Sequence, residues 1–373
     1  MMKKIYLDDM ILTKSLPTTA GSRMLDGYMS LFDATVVEKA AAAGFEIAGK
    51  CPVGEMSIDL VGETCYAGDA TAAAAKALKN DTVAGVICFD VNGAPRRVAA
   101  QNGLVFVKPT YGTVSRFGTV AAACSGEAVG VMARNTADAA ELLAAIAGHD
   151  EKDGTMHADE MCKKVAHVCE NSVKKVAVIK LAADADVTAK IEAAKANMAA
   201  NGIEISEIEM PELAAANAAW NILFTAELCN NVSRFDGIKY GYRSKNYKNL
   251  DELYTNSRTE AFGLLLKTAI LYGSDALSTK NYMAKYDKSL RMRRVTVEAF
   301  AKLFEAYDAV LLPACSKMAY AEGDSAFAEN LYTAPASITG LPAVVAGGVQ
   351  LMGPAFNDGA LLGLAALLAK EGK

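Results

Sequence analysis

No apolar run in this chain of 373 residues approaches the roughly 20 residues that a membrane-spanning helix needs. The opening MMKKIYLDDMILTK carries lysines, but two aspartates stand where a secretory signal would be apolar, so a cytoplasmic location away from membranes is expected. An excess of basic charge is also missing: 38 Lys and Arg face 43 Asp and Glu, a net charge of -5. That balance gives no general attraction to nucleic acid. The best local patch, residues 240–248 (YGYRSKNYK), reads more simply as a solvated loop, so no direct nucleic-acid binding is expected. No low-complexity linker or internal repeat divides the chain, and residues 1–373 are expected to form a single domain with a large core. Cys162, His167 and Cys169 lie close together (CKKVAHVC), but zinc takes about four ligands and no second cluster with matching spacing exists. Neither a metal nor a cofactor is expected. The eight cysteines sit in apolar segments such as VICF and AAACSG, which suits reduced, buried thiols.

What is present is the balance of an ordered globular protein, 52% hydrophobic and 22% charged. Strand-like and helix-like segments alternate. Residues 71–78 (TAAAAKAL) predict a short helix before a buried strand, VAGVICF. Residues 135–147 (NTADAAELLAAIA) predict a helix capped by Asn135 and ended at Gly148. Residues 174–211 read as a β-α-β unit, and VTVEAFAKLFEAY as a helix running into the strand DAVLLPA. The final LLGLAALLAKEG predicts an amphipathic helix ending on glycine. Such alternation implies an α/β fold, a central sheet with helices on both faces.

One segment raises a chemical question. Residues 89–97 (FDVNGAPRR) follow the apolar strand and read as a tight glycine turn leading into more extended chain. An enzyme places a nucleophile at such a tip. Here the tip is Ala94.

Three further segments carry a resemblance: residues 107–155 (from VKPTYGTVSRFGTVAAACSGEAVG to AIAGHDEKDGT), residues 230–263 (NNVSRFDGIKYGYRS with NLDELYTNSRTEAFG) and residues 331–345 (LYTAPASITGLPAVV). With TTAGSRML and FDATVVEKAAAAGFEIAGK upstream, the chain resembles the amidase signature family over nearly its whole length. The middle segment is similar, more narrowly, to the family's A subunit of tRNA-dependent amidotransferases, which make glutaminyl- and asparaginyl-tRNA. The resemblance implies the amidase signature fold with a mixed sheet. It also implies partners of the B and C subunit types, of which B binds tRNA, and glutamine or another small amide as ligand.

The family hydrolyses amides through a Ser-Ser-Lys triad. A serine hydroxyl is a poor nucleophile at its free pKa, so a neutral lysine, relayed by a second serine, takes its proton. Backbone N–H groups of the glycine turn stabilise the oxyanion. Laid on a family turn like S-D-T-G-G-S-I-R, this sequence matches at Asp90, Gly93 and Arg96, and the nucleophile falls on Ala94. The bridging serine falls on Ala70 in AGDATAAAA, at the family's spacing from position 94, and the lysine falls on Leu7 in YLDDMI. Asp90, Val91, Asn92 and Gly93 remain as an oxyanion-turn remnant. Ser57 and Ser125 are expected to lie elsewhere. Cys65 and Cys88, which have no basic sequence neighbour, read as core thiols rather than replacements.

Relative to the family, the chain begins almost at the lysine position and has a shorter loop between Lys50 and Gly68, which normally helps wall the site. The family's clamp for the glutamine α-carboxylate falls on Arg293, which reads equally well as a helix-surface arginine. Its aspartate for the α-amino group falls on Asn330, which lacks the complementary charge. The expectation is an inactive amidase-fold paralogue, a scaffold or regulatory component. The alternatives are a working glutamine amidohydrolase that supplies ammonia for transamidation, and a binder of small amides or amino acids without turnover.

Overall fold

The computed structural model describes residues 2–80, 83–170 and 172–369. Ten strands among them are β1 (Lys3–Asp8), β2 (Phe45–Cys51), β3 (Gly85–Asp90), β4 (Val105–Lys108), β5 (Ala128–Ala133), β6 (Lys175–Ile179), β7 (Glu204–Ile208), β8 (Ala309–Leu312), β9 (Ala343–Ala346) and β10 (Val349–Met352). They join in one sheet in the order β2-β1-β3-β5-β4-β9-β10-β8-β6-β7. Pairing is parallel at the two ends and antiparallel from β3 through β5, β4, β9 and β10 to β8. The sheet is therefore mixed, and the fold is α/β, as the sequence leads one to expect.

The parallel ends follow from their connections. Parallel neighbours need a crossover long enough to hold a helix. The helix Thr35–Ala42 supplies it between β1 and β2, and the helix Ala185–Ala200 between β6 and β7. The expected β-α-β unit is thus present, with β6 and β7 in register from Lys175 opposite Glu204. The helix Thr136–Ile146 starts as its sequence dictates, the Asn135 side chain accepting the Asp138 N–H.

Side chains alternate across each strand. Ile5 and Leu7 of β1 and Ile87 of β3 pack on one face with Val36, Leu142 and Leu143. Tyr6, Val86 and Cys88 pack on the opposite face, with Ala74, Ala75 and Val98 of the helices Ala73–Lys79 and Ala94–Asn102. This second face holds the candidate site.

Two expectations are corrected. The chain beyond Gly93 is not extended: Ala94–Asn102 is a helix. Gly93 sits in the left-handed region at φ +87°, and Pro95 falls in the first turn, where its missing N–H costs nothing. The helix Asp358–Leu368 is not amphipathic, because Leu361, Leu362, Leu364 and Leu368 are all buried around its circumference. The glycine expected to end it, Gly372, lies outside the described residues. Among the described residues no helix is long and apolar enough to cross a membrane.

Candidate functional site

The glycine turn is held by two arginines that have no exposed surface. Arg96 Nε donates to Asp90 Oδ2 at 2.8 Å, and its Nη2 lies 3.3 Å from Asp90 Oδ1. The rest of its guanidinium donates to Thr333 O (2.8 Å), Gln350 Oε1 (3.1 Å) and Ser337 Oγ (2.9 Å). Arg97 donates to Leu60 O (2.9 Å), Asn92 O (2.8 Å) and Asp59 O (3.0 Å). The planar, five-donor guanidinium suits this task, since its buried N–H groups find carbonyl, carboxylate and hydroxyl oxygens. Gly93 cannot carry a side chain here: a Cβ would sit 2.4 Å from Thr333 Cβ. Its N–H donates to Asp90 Oδ1 at 2.8 Å, so one donor of the oxyanion-turn remnant is already committed. Asn92 is held too, its Oδ1 accepting from Trp220 Nε1 at 2.9 Å.

In front of the turn lies a cavity of about 40 Å³, walled by Asp8, Ala70, Cys88, Ala94 and a loop that includes Ser57 and Asp59. A space of this size has room for water. The loop after Lys50 packs closely over it. Gly62 lies so close over Ala70 that a Cβ would meet the Ala70 carbonyl oxygen at 2.4 Å, and a Cβ on Gly54 would overlap Asp59 Oδ2 at 1.7 Å. The loop also carries two consecutive non-glycine residues in the left-handed region, Met56 (φ +54°) and Ser57 (φ +53°). Such strain costs of order 1–3 kcal/mol per residue and persists only where the surroundings impose it.

The structure brings Ala70 and Ala94 to the same cavity, but it does not bring Leu7 there. Leu7 is fully buried on the opposite face of the sheet, among Ile5, Val36 and Ile87. The side chain of β1 that reaches the cavity is that of Asp8, one residue on, because successive residues of a strand face opposite ways. Its Oδ2 accepts the Phe89 N–H at 2.9 Å. Burial, with Asp9 and Asp90 alongside, pushes its carboxyl up to about 7. Asp59 is likewise pushed up to about 7 by burial, with Glu63 adding to the shift. Among the described residues no lysine or arginine lines the cavity. The nearby Lys50 is turned aside, donating to Thr18 Oγ1 and Pro17 O and pairing with Asp9 at 3.4 Å.

Ser57, expected elsewhere, lines this cavity. Sequence reasoning missed it because no strand-turn precedes it; its left-handed backbone carries no signature a single sequence reveals. Ser125 does lie away, bonded through Oγ to Glu227 Oε1 at 2.5 Å. Cys88 lines the cavity, but burial beside Asp8 raises its thiol pKa well above the ordinary value and keeps it protonated. Cys65 is raised as well, by burial and the carboxylates around it. Arg293 and Asn330 do not reach this cavity. Arg293 donates to Ser125 O at 2.8 Å, and the Asn330 side chain lies against Asn221 (2.8 Å) and the carbonyls of Asn92 (3.2 Å) and Ala326 (3.0 Å). Residues 240–248 form an exposed loop in which Arg243 stacks on Tyr247, while Cys162 is buried apart from the exposed His167 and Cys169.

A mixed sheet with this order, a glycine turn locked by an Asp-Arg pair and a pocket at the ends of two parallel strands place the chain among α/β proteins with an amidase architecture. The Amidase family profile matches residues 5–86 and 75–362, and the chain belongs to that family. It is 35% identical over 391 residues to the A subunit of glutamyl-tRNA(Gln) amidotransferase from Acinetobacter baumannii, covering 95% of this chain and 80% of the relative. It is 36% identical to the protein of the same name from Latilactobacillus sakei, covering 95% and 79%. The crystal structure of the A subunit of the Thermotoga maritima amidotransferase superposes with a TM-score of 0.80 at 27% identity, over 100% of this chain and 83% of that one. The native peptide amidase of Stenotrophomonas maltophilia, at 21% identity and a TM-score of 0.77, shares the fold. The chain is therefore an amidase-family protein similar to the A subunit of this amidotransferase. These relatives are named as parts of an enzyme and lend no support to the expectation of inactivity; a working amidohydrolase component fits their names better.

Proposed function

We propose that this chain acts as the A-type component of a tRNA-dependent amidotransferase, alongside B- and C-type subunits in the cytoplasm, and that its family pocket performs no serine-triad hydrolysis. The observation that supports this is the wall of one cavity, where Ala70, Ala94 and Asp8 meet. Amide hydrolysis of this type needs a hydroxyl to attack, a relay and a base. Two methyl groups and a carboxyl supply neither the first nor the second. Retention of the Asp90–Arg96 lock suits a scaffold, since it holds the fold around the turn whether or not chemistry occurs there.

The names of the relatives favour a second reading, a working glutamine amidohydrolase, and on the comparisons alone it is the better of the two. It requires a nucleophile other than position 94, and Ser57 is the hydroxyl that lines the cavity. Ammonia release from glutamine and asparagine, measured with the purified chain alone and mixed with B- and C-type subunits, separates them. The first reading expects release at the uncatalysed rate in both samples. Robust release that Ser57→Ala abolishes overturns it and establishes the second.

A further inference from the structure

We propose that residues 53–58 form a sprung strap over the cavity, fastened by Glu55, and that freeing Glu55 opens the cavity. The spring is backbone strain. Five non-glycine residues among those described have left-handed φ, and four of them lie in this strap or touch its loop. Met56 (φ +54°) and Ser57 (φ +53°) are consecutive in the strap. The carbonyl of Ala20 (φ +51°) accepts the Met56 N–H at 2.8 Å, and Ala72 (φ +52°) donates its N–H to Val61 O at 2.8 Å. Ser57 and Ala72 both line the cavity. Such conformations persist only where the surroundings impose them, and they gather at clamps and switches.

Glu55 supplies the fastening. It is 3% exposed and ties the strap to two distant segments: Oε1 accepts the Ser22 hydroxyl at 2.6 Å, and Oε2 accepts the Gly263 N–H at 2.9 Å. No side chain fits at position 263, where a Cβ would stand 2.7 Å from Oε2. The carboxylate thus lies flush against the start of the helix Leu264–Leu277. The far end of the loop is clamped separately, by Arg97 donating to Asp59 O (3.0 Å) and Leu60 O (2.9 Å), and stays in place. Met56 and Ile58 bury their side chains beneath the strap, so closed is the resting state and opening a minority excursion. The Glu55 tie ends at the surface: Gly263 is exposed, and Leu264 beside it is 82% exposed. A displacement of that helix start therefore reaches the cavity wall through one carboxylate. The inference concerns access, and it holds for either reading of the chain's function, since both place the site in this cavity.

The reporter is Cys88, which lines the cavity and is 1% exposed. Cys162, fully buried in the helix Asp159–Lys164, reports any general loosening. The full chain is reacted with methyl methanethiosulfonate, and the modified fraction of each cysteine is followed with time by peptide mass spectrometry. Glu55→Ala is expected to speed Cys88 labelling about tenfold or more, with Cys162 unchanged. Gly263→Ala keeps Glu55 but pushes its carboxylate aside; it should give a smaller rise, and it carries the test if Glu55→Ala is insoluble. Ser57→Gly, which relieves the strain, should slow Cys88 labelling about threefold. Cys88 labelling at the wild-type rate in the Glu55 and Gly263 variants, or rising only in step with Cys162, overturns the proposal and leaves Glu55 a structural carboxylate. Labelling that Ser57→Gly does not slow overturns it too, because the strain would then drive no opening.

Discussion

Asp8 and Asp90 end neighbouring parallel strands, are almost wholly buried, and are held in opposite ways. Asp90 is matched: Arg96 grips its carboxylate and spreads the positive charge across Thr333, Gln350 and Ser337. Asp8 has one backbone N–H and, among the described residues, no cation beside it, and burial raises its carboxyl to about 7. A buried carboxyl is tolerated either by a partner or by neutrality, and a structure can use both solutions a strand apart. The matched half builds the turn. The unmatched half lines a small cavity.

Removing the partner from the matched half should have the largest effect. Arg96→Ala leaves Asp90 as an unpaired buried charge and is expected to cost about 3–5 kcal/mol, read from the urea midpoint, or to give insoluble protein. A loss below about 1 kcal/mol would mean that the pair is not what holds the turn.

Asp8→Asn should act in the opposite direction, and only at higher pH. The folded value near 7 lies above the ordinary 3.8, so native Asp8 keeps a proton that the unfolded chain has lost. Wild-type stability therefore falls as pH rises from about 4 to about 7, by about 4 kcal/mol at about 1.4 kcal/mol per pKa unit. The asparagine variant escapes this loss and can still accept from Phe89 N. At pH 8 it should be the more stable by about that amount, and at pH 4 about equal. Parallel stability curves for the two proteins across this range would break the comparison.

The smallest effects come from two serines, one in each half. The Ser337 hydroxyl donates to Val91 O (3.0 Å) and accepts from Arg96 (2.9 Å), so Ser337→Ala should cost about 1–3 kcal/mol. Ser57→Ala removes a hydroxyl with no protein partner among the described residues and should change stability by less than about 0.5 kcal/mol. Similar losses for both would show that Ser57 has a partner in the native protein, whatever its identity.

Much of this architecture was legible in the linear chain, because it rests on local rules. The Asn135 cap, the β-α-β unit and the strand into the glycine turn each depend on periodicity or on one residue's side chain meeting a nearby backbone group. Asp90, Gly93 and Arg96 were matched to the family turn from the sequence, whereas the ion pair between Asp90 and Arg96 is a feature of the folded structure. The position on β1 was not legible to within one residue. A strand presents Leu7 and Asp8 to opposite faces, and only the sheet's packing says which face carries the site.

What the sequence determined by itself is thus the succession of elements, the membership of a fold family and the alanines at positions 70 and 94. What only the tertiary structure decided is the company those alanines keep. Gly62 and Gly54 bring a distant loop down onto the cavity, and with it Ser57 in a left-handed conformation. Asp8 enters from β1 without a counter-charge because Lys50 is drawn off to Asp9 and Thr18. Charge state and hydrogen-bond need in a buried space depend on which groups meet there, and contacts among residues 8, 57, 70 and 94 exist only once the chain has folded.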